Sequence, residues 1–287
     1  FGRAGRPHIF DPIGTHFALI FNMYERILVP LDGSPASESI LPWVRRLARK
    51  SLTEVILARV IDLPQMFDFD RNLVDATLND SVEDYLAQAK RALESEALPA
   101  RTVVRWGATG GALLEIIRRE QPSLVAMSTH GRAGLKQWVF GSISEKLLRA
   151  CSVPLFLSRP AGERQIDSIL LPTDGSETSL EALPHAAELA RRLEARVVVL
   201  HVHDIPGARP DQKVEAPVES LRHAGVKAEG ILREGEAAEQ ILQVCGAEKI
   251  GAIAMATHGR SGVSRWVLGS VAEKVLRSVS LPMLIVR

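Results

Sequence analysis

The chain has 287 residues, of which 46% are hydrophobic and 24% are charged, and its formal net charge is +1 at pH 7. This length predicts two globular domains of roughly 100–200 residues each, and the near-neutral charge argues against a broad nucleic-acid or membrane-binding surface. The two cysteines, Cys151 and Cys245, form no C-x-x-C pair, which indicates a reducing, intracellular compartment without a disulfide framework or zinc site. No apolar run approaches the ~20 residues that a membrane span needs.

Residues 1–22 differ from the rest of the chain, because they contain several Gly and Pro residues and show no hydrophobic period. The apolar run over residues 17–21 is too short for the core of a signal peptide. Met23 then opens the segment MYERILVPLDGS, which looks like a natural start. We therefore expect residues 1–22 to be a weakly ordered N-terminal extension.

The first half alternates apolar runs with helical patterns. The run over 26–31 ends at Asp-Gly-Ser, and Ser34 followed by Pro35 predicts the N-cap and first residue of a helix. The run over 54–62 is continuously apolar and rich in β-branched residues, which is typical of a strand buried on both faces. The later predicted elements are a helix over 74–97, a strand over 100–106, a helix over 111–119, strands over 123–128 and 153–158, and a helix between these last two.

The second half repeats this order. Pro42 and Pro184 lie at equivalent places in the first helix of each half, and we expect a kink at both. The connection after the second strand is about fourteen residues shorter in the second half. The other predicted elements are strands over 168–172, 195–204, 228–234, 250–256 and 281–286, and helices over 211–223 and 238–246.

Each half therefore reads β-α-β-α-β-α-β-α-β. This alternation is typical of an α/β fold, and it predicts two doubly wound domains, each with a five-stranded parallel sheet flanked by helices. Ligands of such sheets bind beyond the carboxyl ends of the strands, at the point where the strand order reverses. Asp32 and Asp174 follow the two first strands, so they are candidate ligand contacts.

The chain carries nearly the same twenty-one residues twice, THGRAGLKQWVFGSISEKLLR over 129–149 and THGRSGVSRWVLGSVAEKVLR over 257–277. Each copy follows the fourth strand and contains a Gly-Ser pair that opens a helix, Gly141-Ser142 and Gly269-Ser270. The unpaired N–H groups and the dipole of a helix start favour a phosphate. An interpretation without ligand is equally open, because each serine is followed three residues later by Glu, the capping-box pattern.

The first half, with ILVPLDGS near its start and MSTHGRAGLKQWVFGSISEKLLRACSVPLFL near its end, resembles the universal stress protein family. The second half matches with ILLPTDGS and MATHGRSGVSRWVLGSVAEKVLRSVSLPMLI. The resemblance covers residues 23–287 and implies two tandem domains, 23–160 and 161–287, of the adenine nucleotide alpha hydrolase-like fold.

The resemblance also implies an adenine nucleotide site in each half. ATP-binding members share a loop of the form G-x2-G-x9-G-[ST], whose first glycine is replaced here by Ser128 and Ala256. A Cβ at that point would crowd the ribose or phosphates. Asp32 and Asp174 would bind the adenine. The other residues implied at the nucleotide are Pro30, Val60, Met127, Gly131, Gly141 and Ser142 in the first half, and Pro172, Val202, Met255, Gly259, Gly269 and Ser270 in the second.

The resulting hypothesis is a cytoplasmic stress-response regulator that binds ATP, with or without Mg²⁺, in one or both halves. AMP, ADP and cyclic AMP fit the same resemblance. A scaffold that binds protein partners without nucleotide is the first alternative, because the family includes members that do not bind ATP. A slow ATPase is the second alternative. The chain has no Walker A, no dinucleotide G-x-G-x-x-G after the first strands and no G-x-S-x-G elbow, so no catalytic residue is assigned.

The repeat also predicts how the halves assemble. The resemblance implies pairing through the fifth strands, so residues 153–158 would lie against 281–286 in an internal pseudo-dimer with a linker over 159–165. An exposed edge strand is a template for pairing, and covering it is favourable. The same reasoning leaves open that the pseudo-dimer pairs again as a homodimer.

Overall fold

The computed structural model describes residues 23–49, 52–62, 71–129, 141–160, 165–203, 212–257 and 268–287, with the backbone alone for 71–79 and 212. The predicted extension over 1–22, Gly131 and Gly259 lie outside these residues. The first half contains β1 (Arg26–Pro30), α1 (Pro35–Glu38), α2 (Leu41–Ala48), β2 (Glu54–Ile61), α3 (Arg71–Glu94), β3 (Ala100–Trp106), α4 (Thr109–Glu120), β4 (Leu124–Ser128), α5 (Ser142–Ala150) and β5 (Leu155–Ser158).

The second half repeats these elements in the same order. It contains β6 (Ser168–Thr173), α6 (Glu177–Leu180), α7 (Ala182–Leu193), β7 (Arg196–His203), α8 (Gln212–His223), β8 (Ala228–Glu234), α9 (Ala237–Ala247), β9 (Ala252–Ala256), α10 (Ser270–Ser278) and β10 (Met283–Val286). The α/β fold class predicted from the alternation of strands and helices is confirmed.

The ten strands form one continuous sheet in the order β3-β2-β1-β4-β5-β10-β9-β6-β7-β8. Strands pair in parallel within each half, and β5 and β10 pair antiparallel at the centre. Phe156 lies opposite Leu284, and these two residues occupy equivalent positions in the repeat. The halves are therefore arranged as an internal pseudo-dimer, and the predicted pairing of the fifth strands is confirmed.

Helices cover both faces of this sheet. Alternate strand residues point to opposite faces, so Ile27 and Val29 pack under α2, α3, α7 and α8, whereas Leu28 packs under α4, α5, α9 and α10. Each apolar cluster runs across both halves. The strand order reverses between β1 and β4 in the first half, and between β6 and β9 in the second. The carboxyl ends of each of these strand pairs therefore lie side by side at the point of reversal.

The first helix of each half is broken where proline was expected to kink it. A proline at position i removes the hydrogen bond to the carbonyl of residue i−4. For Pro42 and Pro184 those carbonyls belong to Glu38 and Leu180, the last residues of α1 and α6. The helical path resumes in α2 and α7. Ser34 accepts a hydrogen bond from the Ser37 N–H at 3.1 Å, which confirms the predicted N-cap.

A buried arginine joins the two halves beside the central strands. Arg192 on α7 is 5% exposed, and its Nε lies 2.7 Å from Oε1 of Glu188. Its Nη1 donates across the interface to the Leu47 carbonyl and, at 3.1 Å, to the Thr53 hydroxyl. The guanidinium also lies 5.1 Å from the ring centre of Tyr24. A cation at the last carbonyls of a helix is favourable, so Arg192 stabilises the end of α2 from the opposite half.

His185 lies in the same interface and stacks on Tyr24 with ring centres 6.0 Å apart and an interplanar angle of 17°. Burial lowers the pKa of His185 from 6.5 to about 4. The unfolded chain therefore binds more protons than the folded chain between these two values. The contribution of neutral His185 to the free energy of unfolding is fully present above pH 6.5 and is lost as the pH falls toward 4.

We expect protonation of His185 to lower the free energy of unfolding by up to about 3 kcal/mol as the pH falls from 7 to 4. Phenylalanine keeps the stacking but cannot be protonated, so His185→Phe is expected to lose less stability over that range than the parent. Urea unfolding of both proteins at the two pH values measures the difference. Equal losses in the two proteins would show that His185 does not carry this pH dependence.

Candidate functional site

The turn after β1 is closed by Asp32. Its Oδ1 accepts hydrogen bonds from the N–H and the hydroxyl of Ser34, at 2.9 and 2.5 Å. Gly33 has φ +77°, a conformation that residues with a Cβ rarely adopt. The Asp32 N–H donates in turn to the hydroxyl of Ser37 at 3.2 Å. These contacts fix the carboxylate beyond the carboxyl end of the first strand.

The turn after β6 has the same construction. The N–H and hydroxyl of Ser176 donate to Oδ1 of Asp174 at 2.9 and 2.5 Å, and Gly175 has φ +79°. The Thr173 hydroxyl adds a hydrogen bond of 2.8 Å with the hydroxyl of Ser179. The two aspartates therefore hold equivalent positions and orientations in the two halves.

The fourth strands end beside these turns. Ser128 is 4% exposed, and its hydroxyl accepts a hydrogen bond of 3.0 Å from the Ser39 hydroxyl behind α1. Ala256 holds the equivalent end of β9. The next residues, Thr129 and Thr257, are held by N–H bonds to the ends of β5 and β10, at 2.8 and 2.9 Å. Both residues that replace the first motif glycine are thus buried at the floor of the site.

The N-cap of each helix in the repeated segments is a glycine and not the serine that follows it. Gly141 and Gly269 are the N-caps of α5 and α10, and among the described residues no side chain caps either helix. Ser142 and Ser270 are therefore the first helical residues, one position too far along for a capping box. The capping-box interpretation is wrong, and the first-turn N–H groups of both helices lack that partner.

Each half has a cavity between the Asp turn and this helix start. The first measures about 410 Å³ and the second about 310 Å³. Every predicted site residue within the described part of the chain lines one of them: Pro30, Asp32, Val60, Met127, Ser128, Gly141 and Ser142 in the first, and Pro172, Asp174, Val202, Met255, Ala256, Gly269 and Ser270 in the second. Gly131 and Gly259 lie outside the described residues.

The structure adds cavity residues that motif matching missed. Arg59 lies beside the first turn, with Nη1 3.4 Å from the Leu31 carbonyl. His201 holds the equivalent position on β7 but does not line the second cavity, and its Nδ1 donates to the Thr173 carbonyl at 2.8 Å. The register pairs Ala58 with Pro30 and thereby brings the end of β2 to the same edge. The pairing of β1 with β2 could have identified Arg59, because a strand that pairs with β1 must end beside the Asp32 turn.

No conventional catalytic group emerges from the described residues. Among them, no cluster of three or more His, Cys, Asp or Glu side chains is suited to hold a metal ion. Burial raises the pKa of the Cys245 thiol to about 12 and also raises that of Cys151, so neither is the thiolate that nucleophilic catalysis requires. Within the same residues, every helix is too short or too polar to cross a bilayer.

Comparison with known proteins shows which family has this sequence pattern and architecture. A sequence model described as the universal stress protein family matches residues 23–159 and 165–287. A universal stress protein of Mycolicibacterium smegmatis is 26% identical over 91% of this chain and 96% of its own length. Universal stress protein MJ0531 of Methanocaldococcus jannaschii is 33% identical over 44% of this chain and 85% of its own length.

A solved structure shows the same fold across both halves. The crystal structure of a universal stress protein from Archaeoglobus fulgidus covers 92% of this chain and 98% of its own chain, with a TM-score of 0.75 and 21% identity. The family match extends over both halves, and each matched segment contains one Asp turn and one helix start that no side chain of the described residues caps. The chain therefore belongs to the universal stress protein family, as a member with two family segments in tandem.

Proposed function

We propose that this protein is a cytoplasmic stress-response regulator that binds adenine nucleotide, ATP in particular, in a cavity of each half. The observation that carries the proposal is a pair of groups that line one cavity and occur twice. An oriented aspartate lies after the first strand, and after the fourth lies a helix N-terminus with a glycine N-cap and no cap from the described side chains. We further propose 23–160 and 161–287 as the two functional domains.

The two groups suit the two ends of an adenine nucleotide. A carboxylate accepts hydrogen bonds from an amino group such as that of adenine, and Asp32 and Asp174 would take this role. Val60 and Val202 line the same cavities and offer apolar surface to the base. At the other end, the positive end of the helix dipole and unpaired N–H groups favour phosphate oxygens.

The phosphate end would be held by the start of α5 or α10. Gly141 and Gly269 lack a Cβ, so the backbone can approach a phosphate closely. The hydroxyls of Ser142 and Ser270, at the first helical positions, can donate a further hydrogen bond. A Mg²⁺ ion that arrives with ATP would neutralise part of the phosphate charge. Nucleotide occupancy would then stabilise the region around these helix starts and change the surface offered to protein partners.

We propose binding as the function, with hydrolysis no faster than minutes per turnover. Among the described cavity residues, Asp62 is the carboxylate outside the two turns, and it already accepts from the Thr109 N–H and hydroxyl at 3.4 and 3.3 Å. No cavity residue stands out as a base for water. A scaffold without nucleotide is the competing function, favoured by Ser128 and Ala256 in place of the first motif glycine.

The aspartate substitutions test this proposal. We expect the parent to bind two ATP per chain in equilibrium dialysis with Mg²⁺, and Asp32→Ala and Asp174→Ala each to weaken one site by about 10- to 100-fold, the value of a hydrogen bond to a charged group. The double variant should lose both sites. Asp167→Ala is the matched control, since Asp167 precedes β6 at the opposite end of the sheet and bonds to Gln165 at 2.8 Å.

Each alternative result has a distinct meaning. Absence of ATP binding in the parent would support the scaffold function. Two intact sites in both aspartate variants would show that the nucleotide lies elsewhere.

A further inference from the structure

We infer that the two cavities are unequal, and that the first half holds the higher-affinity nucleotide site because Ala58 stands where the second half has Leu200. This inference rests on the proposed function and names the residue that separates the two sites. Neither position belongs to the Asp turn or to the Gly-Ser helix start. Both lie on the second strand of their half.

Ala58 and Leu200 occupy equivalent positions by strand register. Ala58 is paired with Pro30 between β1 and β2, and Leu200 is paired with Pro172 between β6 and β7. Both side chains are fully buried and belong to the apolar cluster under α4, α5, α9 and α10. Both also line the cavity of their half. The comparison is therefore between two side chains at one position of the same cavity wall.

A leucine at this position has three more carbon atoms than an alanine. The cavity with Ala58 measures about 410 Å³ and the cavity with Leu200 about 310 Å³, so the difference has the direction that the substitution predicts. Val60 and Val202 lie two residues further along the same strand face, where the base is proposed to pack. The extra carbons of Leu200 therefore occupy space beside the proposed base position that the first half leaves open.

Two polar lining positions on the helices differ in the same direction, whereas Leu31 of the first cavity corresponds to Thr173 of the second. The first residue of α4 is Thr109, whereas that of α9 is Ala237, and the third residue of α5 is Ser144, whereas that of α10 is Ala272. The Thr109 hydroxyl is also within 3.3 Å of Oδ2 of Asp62 at the first cavity. The first cavity thus offers the hydroxyls of Thr109 and Ser144 to a ribose at two positions where the second offers the methyl groups of Ala237 and Ala272.

Isothermal titration calorimetry of the full chain with Mg²⁺-ATP tests this inference. We expect a tight and a weak class of site, separated by about tenfold or more. Ala58→Leu should weaken the tight class by about 10- to 100-fold, because even one excess methylene in a fitted pocket has an effect of this order. Leu200→Ala should strengthen the weak class. Leu200→Val is the second variant if Leu200→Ala fails to fold.

Thermal unfolding without nucleotide separates a cavity effect from damage to the core. Ala58 borders the cavity, so Ala58→Leu should lower the melting temperature less than an alanine-to-leucine change at a buried position away from the cavity. Ala126→Leu is the matched control, because Ala126 is equally buried on β4, two strands away from Ala58 in the sheet, and is not among the residues that line the first cavity. Overpacking at Ala126 should lower the melting temperature.

The outcomes distinguish this inference from the proposed function. If the parent shows a single class of ATP site and Ala58→Leu removes it, the inference is supported, because the site in the second half is then too weak to detect. Two classes of equal affinity, or a tight class that Ala58→Leu does not change, overturn it and leave the nucleotide function standing. A parent chain that binds no ATP overturns both.

Discussion

Replacing Arg192 with methionine is expected to lower the free energy of unfolding by about 3 kcal/mol, because removing one partner of a buried ion pair leaves the other charge buried with less compensation. Glu188 is 5% exposed, and its remaining ion-pair partner among the described residues would be the more exposed Arg191, at 3.0 Å. The Leu47 carbonyl and the Thr53 hydroxyl would also lose their donor across the interface. Urea unfolding at pH 7 measures the change.

Two further variants isolate the cause. Arg277→Met removes an exposed pair of the same i, i+4 spacing, with Glu273 at 2.9 Å, and should cost less than about 1 kcal/mol. The double variant Arg192→Met with Glu188→Met should recover part of the loss, since a well-packed apolar pair often replaces a buried ion pair without penalty. A loss at Arg192 no larger than that at Arg277 would show that Arg192 does not stabilise the contact between the halves.

Truncation of Phe156 to alanine is expected to destabilise the protein by about 3–5 kcal/mol, as for other buried phenylalanines. Phe156 is fully buried at the centre of the sheet, where it lies opposite Leu284 and its ring centre is 6.0 Å from that of Trp43. Because the residue lies between the halves, both should lose stability together. Hydrogen exchange of the β1 and β6 amides measures each half separately.

A conservative substitution provides the control for this second prediction. Phe156→Leu keeps a large apolar side chain where β5 pairs with β10, and it should lower the free energy of unfolding clearly less than Phe156→Ala. Faster exchange in β1 with no change in β6 would contradict the expectation that the central strands couple the two halves. That outcome would describe two independent domains that merely touch.

The strands and their pairing were predictable because the repeat supplied two readings of the same pattern. The buried strands are continuously apolar runs, and the parallel pairing within each half follows from alternation with helices. The spatial order β3-β2-β1-β4-β5 was not predicted. The central β5–β10 pair came from the family resemblance, because no local pattern in LFLS or MLIV specifies an antiparallel partner. Arg192 was missed for the same reason, since its partners Leu47 and Thr53 are 145 and 139 residues away.

Helix ends were less predictable than helix centres. The helix predicted over 74–97 spans Arg71–Glu94, and it ends where Ala97 adopts φ +60° and the Leu98 N–H donates to the Leu93 carbonyl. Such an end usually carries glycine, so alanine gave no signal. The capping-box pattern at Ser142 was wrong by one position, because Gly141 supplies the extended backbone of the N-cap.

The site residues that belong to a sequence motif were predictable, whereas those that reach the cavity through strand packing were missed. Asp32 and Asp174 follow apolar runs in DGS turns, so their place at the strand ends could be read directly. Ala58, Leu200 and Arg59 lie inside the second strands or at their ends, where the sequence indicates only burial. Their contact with a cavity depends on register and on the cavity shape, which single-strand patterns do not contain.

Hydrogen–deuterium exchange with and without saturating Mg²⁺-ATP tests the central claim most directly, because it locates the ligand as well as detecting it. The account predicts slower exchange in both Asp turns, residues 31–34 and 173–176, and in the first turns of α5 and α10. The opposite ends of the strands, such as the start of β1 at Arg26, should change little. Unchanged exchange at both turns and both helix starts would contradict the claim that these paired elements form nucleotide sites.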